Sequence, residues 1–243
     1  MREIRICDYQ AALSEGTLHT LSTSCSAHLC TVLRKKNGFE FRLFDGRGHE
    51  FRAVLRSSGT KVQAEVGEPV CTDTESPLHT ELGQVISRNG RMEFTVQKAV
   101  ELGISAITPL FSERCGVRLD AERAHKKRLQ WQKIAIAACE QCGRAVVPVL
   151  HPVLPLDRWL EKGQSGTALR LVLDPRAERR IAELKATPEI CLLAGPEGGL
   201  SPAELKQALS CGFIGVRMGP RILRTETAAL AALSILGSCF GDL

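Results

Sequence analysis

The sequence predicts an α/β protein: a small β-rich module over residues 1–71, then a parallel sheet covered by helices over residues 72–243. Three observations carry this. Residues 1–71 hold short alternating runs bounded by turn residues. The polar stretch CTDTESP, residues 71–77, closes with Pro77 and marks a boundary. Beyond it, strand-like and helix-like segments alternate, the pattern of a parallel sheet with crossover helices.

The elements follow in order. A short helix is expected from His28 to Lys36, ended by Asn37-Gly38. RLFDGRGHEFRAVLRS carries two alternating runs around Asp45-Gly46-Arg47-Gly48, a hairpin signal, and KVQAEVGEPV is a further strand ending at Pro69. HTELGQVIS reads as a strand, and GRMEFTVQKAVELG as a helix with Gly103 suited to its C-terminal cap. ISAITPLF is the next strand. A long helix then runs from Ala121 to Cys142 with Asp120 as N-cap. VVPVLHPV is extended and ALRLVLDP is a strand. EICLLAG is apolar nearly throughout, as a strand buried on both faces must be. IGVRMG is the last strand, followed by an Ala/Leu-rich helix that is apolar almost all round and so belongs inside or at a subunit interface.

Composition narrows the function. With 44% apolar and 24% charged residues, the 243-residue chain is neither disordered nor fibrous. No apolar run reaches the roughly 18 residues of a membrane span, and the charged start MREIRICDYQ does not resemble a signal peptide, so a cytoplasmic location is expected. The net charge of +5 is mild, but most of the excess lies between Arg114 and Arg144, where a basic helix face could meet phosphates. Among the 10 cysteines only Cys139 and Cys142 form a C-x-x-C, inside an apolar helical stretch and without a second pair, so no metal site is expected.

Two loops carry the chemistry, each after a buried-strand pattern. In AGPEGGLSPAEL, Ala194 to Leu205, the glycines allow close approach of a ligand to backbone; Ser201, Pro202 and Glu204 then open a helix with a capping box. Strand, glycine loop, helix is the arrangement that binds ligands at the carboxyl edge of an α/β sheet. The loop has neither the Gly-Lys-Ser/Thr of a P-loop nor G-x-G-x-x-G spacing, and Glu197 at its centre would repel a pyrophosphate. The second loop, in MGPRILRTETAALAALSIL from Met218 to Leu236, places Arg221, Arg224 and Glu226 just before the apolar helix. Such charges need partners, either each other or a ligand.

GPEGGLSPAE at 195–204 and MGPRILRTETA at 218–228 resemble the RsmE family of the SPOUT class, S-adenosylmethionine-dependent RNA methyltransferases. RMEFTVQKAVELGISAITPLFSERCGV, WQKIAIAACEQCGR and FDGRGHEF extend the likeness to both ends of the chain. The resemblance implies an N-terminal PUA-like β-barrel and a SPOUT α/β domain with a C-terminal trefoil knot. It implies a homodimer that methylates N3 of one uridine of 16S rRNA near the decoding centre. One departure is visible: the family's first strand often has an aromatic shortly after its arginine, whereas Arg5 is followed here by Ile6 and Cys7.

Carried onto this sequence, the motifs assign the cofactor, S-adenosylmethionine, to Leu173, Leu193, Ala194, Gly195, Pro196, Glu197, Gly198 and Gly199 on one side. Met218, Gly219, Pro220, Ile222, Leu223, Arg224 and Thr225 hold it on the other. Arg221, Arg224 and Glu226 are the expected catalytic residues, the arginines facing the charge that develops on the uracil oxygens. Arg5, Arg91, Lys98, Arg114, Arg118 and Arg144 are the expected RNA contacts.

Overall fold

The computed structural model describes residues 3–58, 61–161, 168–185 and 187–243. The chain divides into two compact units, Met1–Glu75 with Ile136–Val147, and Ser76–Ala135 with Pro148–Leu243. Residues 136–147, the end of the long helix and the segment after it, pack with the first unit.

The first unit is built on a five-stranded sheet: β1 (Arg5–Cys7), β2 (Leu18–Thr20), β3 (Glu40–Phe44), β4 (Glu50–Ser58) and β5 (Lys61–Pro69), in the order β1-β3-β4-β5-β2. The Asp45–Gly48 turn joins β3 to β4 as an antiparallel hairpin, as its sequence signals. The two edge strands are tied by side chains: Asp8, after β1, accepts from His19 Nε2 of β2 at 2.8 Å and from the Ser22 amide at 3.1 Å. Burial alone would raise the Asp8 carboxyl; these hydrogen bonds hold it below its ordinary value. Ile6, Leu29, Phe41, Leu43 and Leu55 fill the core enclosed by the sheet. The expected helix over 28–36 starts earlier, as α1 (Thr23–Ala27) capped by Ser22, and continues as a short π-helix over His28–Val32.

Residues 136–147 are fastened to this sheet by buried charge. Arg5 forms a two-pronged pair with Glu50, at 3.0 and 2.7 Å, and donates to the carbonyls of Cys139 and Arg144. Its guanidinium also lies over the Phe44 ring. Arg144 is likewise buried and pairs with Glu75 at 2.8 Å. Burial pushes the thiols of Cys25 and Cys139 up to about 12, so they stay protonated and inert.

The second unit is a parallel sheet of β6 (His79–Val85), β7 (Ala106–Phe111), β8 (Val149–Leu150), β9 (Leu154–Pro155), β10 (Leu169–Leu173), β11 (Glu189–Ala194) and β12 (Ile214–Val216). Its order is β12-β10-β11-β6-β7-β8, with β9 also on β7. Pro109 of β7, which lacks an amide proton, falls where the outer neighbour is interrupted between β8 and β9. Gly83 of β6 is glycine because a Cβ there would stand 2.5 Å from the Trp159 ring.

The helices are α2 (Arg91–Glu101), α3 (Ala121–Cys142), α4 (Leu156–Glu161), α5 (Pro202–Ser210) and α6 (Thr225–Phe240). Asp120 caps α3 by accepting from the Arg123 amide at 2.8 Å. The capping box of α5 is complete: the Glu204 amide donates to Ser201 Oγ, and the Ser201 amide to Glu204 Oε2. α6 buries Ala229, Ala232, Leu233 and Leu236 and leaves Leu230, Ala231 and Ile235 half-covered. Among the described residues no helix is long and apolar enough to cross a membrane, and no group of three His, Cys, Asp or Glu side chains could hold a metal ion.

Candidate functional site

All strands of the parallel sheet point the same way, so the loops after β10, β11 and β12 meet at one edge. They enclose a cleft of about 690 Å³. Leu173, Ala194 to Gly199, Met218, Gly219, Ile222, Leu223, Arg224 and Thr225, all among the residues the motifs single out, line it. Leu193 is a fully buried strand residue, and neither it nor Pro220 nor Glu226 lies on the cleft wall. Asp174, Arg176 and Arg217 also face the cleft; the motifs did not include them, although Asp174 directly follows a strand that the sequence reveals.

Only one glycine of the 195–199 loop needs the left-handed region: Gly199 has a φ of +67°. Gly195 sits tightly, since a Cβ would lie 3.1 Å from Leu200 Cγ. At Gly219 nothing lies within 4 Å of a would-be Cβ, and the residue lines the cleft, so the backbone there is open to a ligand. This glycine-walled, half-apolar cleft fits an adenosyl group with a polar tail.

The two loops are joined by a buried hydrogen-bond chain. Thr225 Oγ1, at the start of α6, donates to the Gly195 carbonyl at 2.6 Å and accepts from Gln84 Nε2 at 3.0 Å. Gln84 is fully buried, so this chain fixes both loops against β6.

The charges sort differently from the expectation. Glu226 does not pair with Arg221 or Arg224. It turns to Arg91, whose Nε lies 3.7 Å from Glu226 Oε1 while its Nη1 holds Glu197 Oε1 at 2.9 Å. The Arg88 amide also donates to Glu197. Partial burial would raise the Glu197 carboxyl, but these donors hold it below its ordinary value. Arg221 and Arg224 line the cleft, are exposed, and carry no ion pair among the described residues. Among the described residues, these two cations at the cleft wall have no acidic partner.

The expected RNA contacts scatter. Arg91 and Arg114 line the cleft, Arg114 donating to the Gly198 carbonyl at 3.3 Å. Arg118 is exposed. Lys98 is held by Glu101 at 2.8 Å. Contrary to the expectation, the side chains of Arg5 and Arg144 are only 8% and 6% exposed and their guanidinium groups are committed to Glu50 and Glu75, so neither presents a charge to a phosphate.

A family model described as an RNA methyltransferase domain matches residues 74–237, and one described as an RNA methyltransferase PUA domain matches residues 26–67. The chain is 37% identical over 229 residues to ribosomal RNA small subunit methyltransferase E of Buchnera aphidicola from Schizaphis graminum, covering 92% of each chain. Among solved structures, it superposes on a methyltransferase of Legionella pneumophila in complex with bound S-adenosylmethionine, with a TM-score of 0.94, 40% identity and full coverage of both chains. The ribosomal RNA small subunit methyltransferase E of Neisseria gonorrhoeae, bound to the same cofactor, gives a TM-score of 0.90 at 37% identity, again over the whole of both chains. With most of the chain matched by the domain model and relatives of this identity covered nearly end to end, the chain belongs to the ribosomal RNA small subunit methyltransferase E family.

Proposed function

We propose that this chain transfers a methyl group from S-adenosylmethionine to N3 of one uridine of 16S rRNA, near the decoding centre of the small ribosomal subunit. The observation that carries the proposal is the glycine-walled cleft with two arginines on its wall that form no ion pair among the described residues. The family membership and the cofactor named for its solved relatives support it. The wider proposal follows the family: a cytoplasmic homodimer with a PUA-like barrel, and a trefoil knot in the C-terminal domain. The half-covered apolar positions of α6 suit a subunit interface.

When bound, S-adenosylmethionine supplies an electrophilic methyl group on a cationic sulfur. The chain's residues do the rest. The backbone of 194–199 and 218–225 holds the cofactor, and Thr225 keeps the two loops in register. N3 must lose its proton as it is methylated, and negative charge spreads to O2 and O4. Arg221 and Arg224 stabilise that charge as preorganised donors. Neither loop contains a histidine, so the proton leaves to water or to a carboxylate; Asp174 and Glu197 are those on the cleft wall.

The test is methyl transfer from labelled cofactor to small subunits lacking the modification, naked 16S rRNA and bulk tRNA, followed by nucleoside analysis. N3-methyluridine in 16S rRNA alone is the expected result. Arg224→Ala is expected to lower kcat roughly 100-fold with cofactor still bound. Label in tRNA or in a ribose would overturn the target. Absence of cofactor binding would overturn the whole proposal.

A further inference from the structure

The carboxyl edge of the parallel sheet carries a second pocket. The first cleft opens beyond β12, β10 and β11; the next strands along the edge are β6 and β7. The segments that follow these two strands, with the first turns of α2 and the middle of α3, enclose about 270 Å³. Ile86, Met92, Val117 and Leu119 supply apolar walls. The partition between the two pockets is Glu197 with its donors, the Arg88 amide and the Arg91 guanidinium.

Two polar groups on the wall of this pocket are poorly satisfied. Ser87 is 6% exposed and Trp131 is 1% exposed; among the described residues Ser87 Oγ has no hydrogen-bond partner, and Trp131 Nε1 has only the nearby Glu93 carboxylate, outside good hydrogen-bond geometry. Buried donors without partners cost stability and are rare in folded proteins. The neighbouring charges are already engaged: Lys127 Nζ donates to Glu93 Oε1 at 3.0 Å, and Arg88 Nε to the Gly116 carbonyl at 2.6 Å. Burial would raise the Glu93 carboxyl; the Lys127 bond, with a smaller contribution from the nearby indole, holds it below its ordinary value. Glu93 therefore stands on the pocket wall as an anion paired with Lys127.

The complement to these walls is flat, neutral, partly apolar and bears acceptors for an indole N–H and a hydroxyl. Nucleobases have that chemistry, and single-stranded RNA offers them unstacked, to be read along their edges. We propose that this pocket is a nucleobase subsite that takes one unpaired base flanking the methylated uridine; the assignment rests on the RNA methyltransferase function proposed above. Ser87 and Trp131 are the groups that read the base edge. The subsite fixes the RNA while the neighbouring cleft holds the cofactor.

The test uses Ser87→Ala and Trp131→Phe in the full chain. Ser87→Ala deletes an atom with no hydrogen-bond partner among the described residues, and Trp131→Phe one with only a weak contact to Glu93, so the melting temperature is expected to stay nearly unchanged. The KM for the rRNA substrate is expected to rise several-fold, with kcat and cofactor affinity unchanged. A structural pair would give the reverse: a lower melting temperature and an unchanged KM, which would overturn the inference. Binding is read separately from activity by the quenching of indole fluorescence on titration with a single-stranded oligouridylate. The chain has 2 tryptophans, and the quench is expected to be lost in Trp131→Phe. An equal quench in that variant, or one reproduced by an abasic ribose-phosphate strand, would overturn the base assignment. Quenching by uridine 5′-monophosphate with none by the oligonucleotide would assign the pocket to a free nucleotide and overturn the RNA source. If the wild-type protein transferred no methyl group, the function proposed above would fail, while the quenching experiment would still decide the subsite.

Discussion

Arg91 donates to Glu197 over 2.9 Å, from the first turn of α2 to the middle of the glycine loop. The same guanidinium lies 3.7 Å from Glu226 in the first turn of α6. One cation thus spans both loops of the cleft. Both partners of the closer pair are about one-third exposed, so the pair itself contributes less than about 1 kcal/mol. Arg91→Ala is therefore expected to leave the melting temperature nearly unchanged. Its effect falls on loop placement, raising the Kd for S-adenosylmethionine by roughly five-fold. Arg91→Lys, which keeps one charge but cannot fork, recovers part of the loss. Calorimetric titration checks this, and an unchanged Kd in Arg91→Ala would refute it.

The Thr225 hydroxyl donates to the Gly195 carbonyl and accepts from Gln84 within the protein interior. Thr225→Val keeps the shape and removes both bonds. The buried carbonyl loses its partner, at a cost of about 1–3 kcal/mol. The expected outcome is a melting temperature lower by roughly 2–12 °C, together with weaker cofactor binding. A destabilised variant with wild-type affinity would show that the chain of bonds serves the fold and not the loops.

What the sequence makes legible here is local. Ser201 and Glu204 stand three residues apart and form their capping box; Asp120 caps the helix it precedes. The two cleft loops are readable because glycines and helix starts follow apolar runs. What is not legible depends on distant partners. Arg5 and Glu50 are 45 residues apart, and Arg144 and Glu75 are 69 apart, so nothing local marks those arginines as buried. Glu226 finds Arg91 and not the arginines beside it, for the same reason. Strands as short as β1, β2 and β8 carry too few residues to show an alternation.

The burial of Arg5 changes what its removal should do. Glu50 has a side-chain exposure of 0%, and without Arg5 the one cation left near its carboxylate among the described residues is Arg42, at 3.8 Å. Arg5→Ala is expected to cost about 3 kcal/mol, the lower part of the range for breaking a buried pair. The salt dependence of RNA binding, measured below the melting transition, should keep its slope. A phosphate contact would instead reduce that slope by about one. A stable variant with a shallower slope would return Arg5 to the RNA interface.

Glu140 offers a pH test within the first unit. Burial raises its carboxyl above the ordinary value of 4.5, outweighing the lowering by the Cys7 amide bond, His28 and Arg5. The fold therefore favours the protonated form. The associated stability is fully present below the unfolded value and is lost as pH rises through the folded one. At neutral pH the ionised side chain weakens the native state. Glu140→Gln keeps an acceptor for the Cys7 amide, which donates to Glu140 Oε1 at 2.9 Å, and removes the charge. The variant and wild type are expected to melt together near pH 4, with the variant higher by about 2 °C at pH 7.5. Thermal melts across that range decide the matter. A difference that is constant with pH, or that favours wild type at neutral pH, would mean that the carboxylate is stabilised in place by His28 and Arg5.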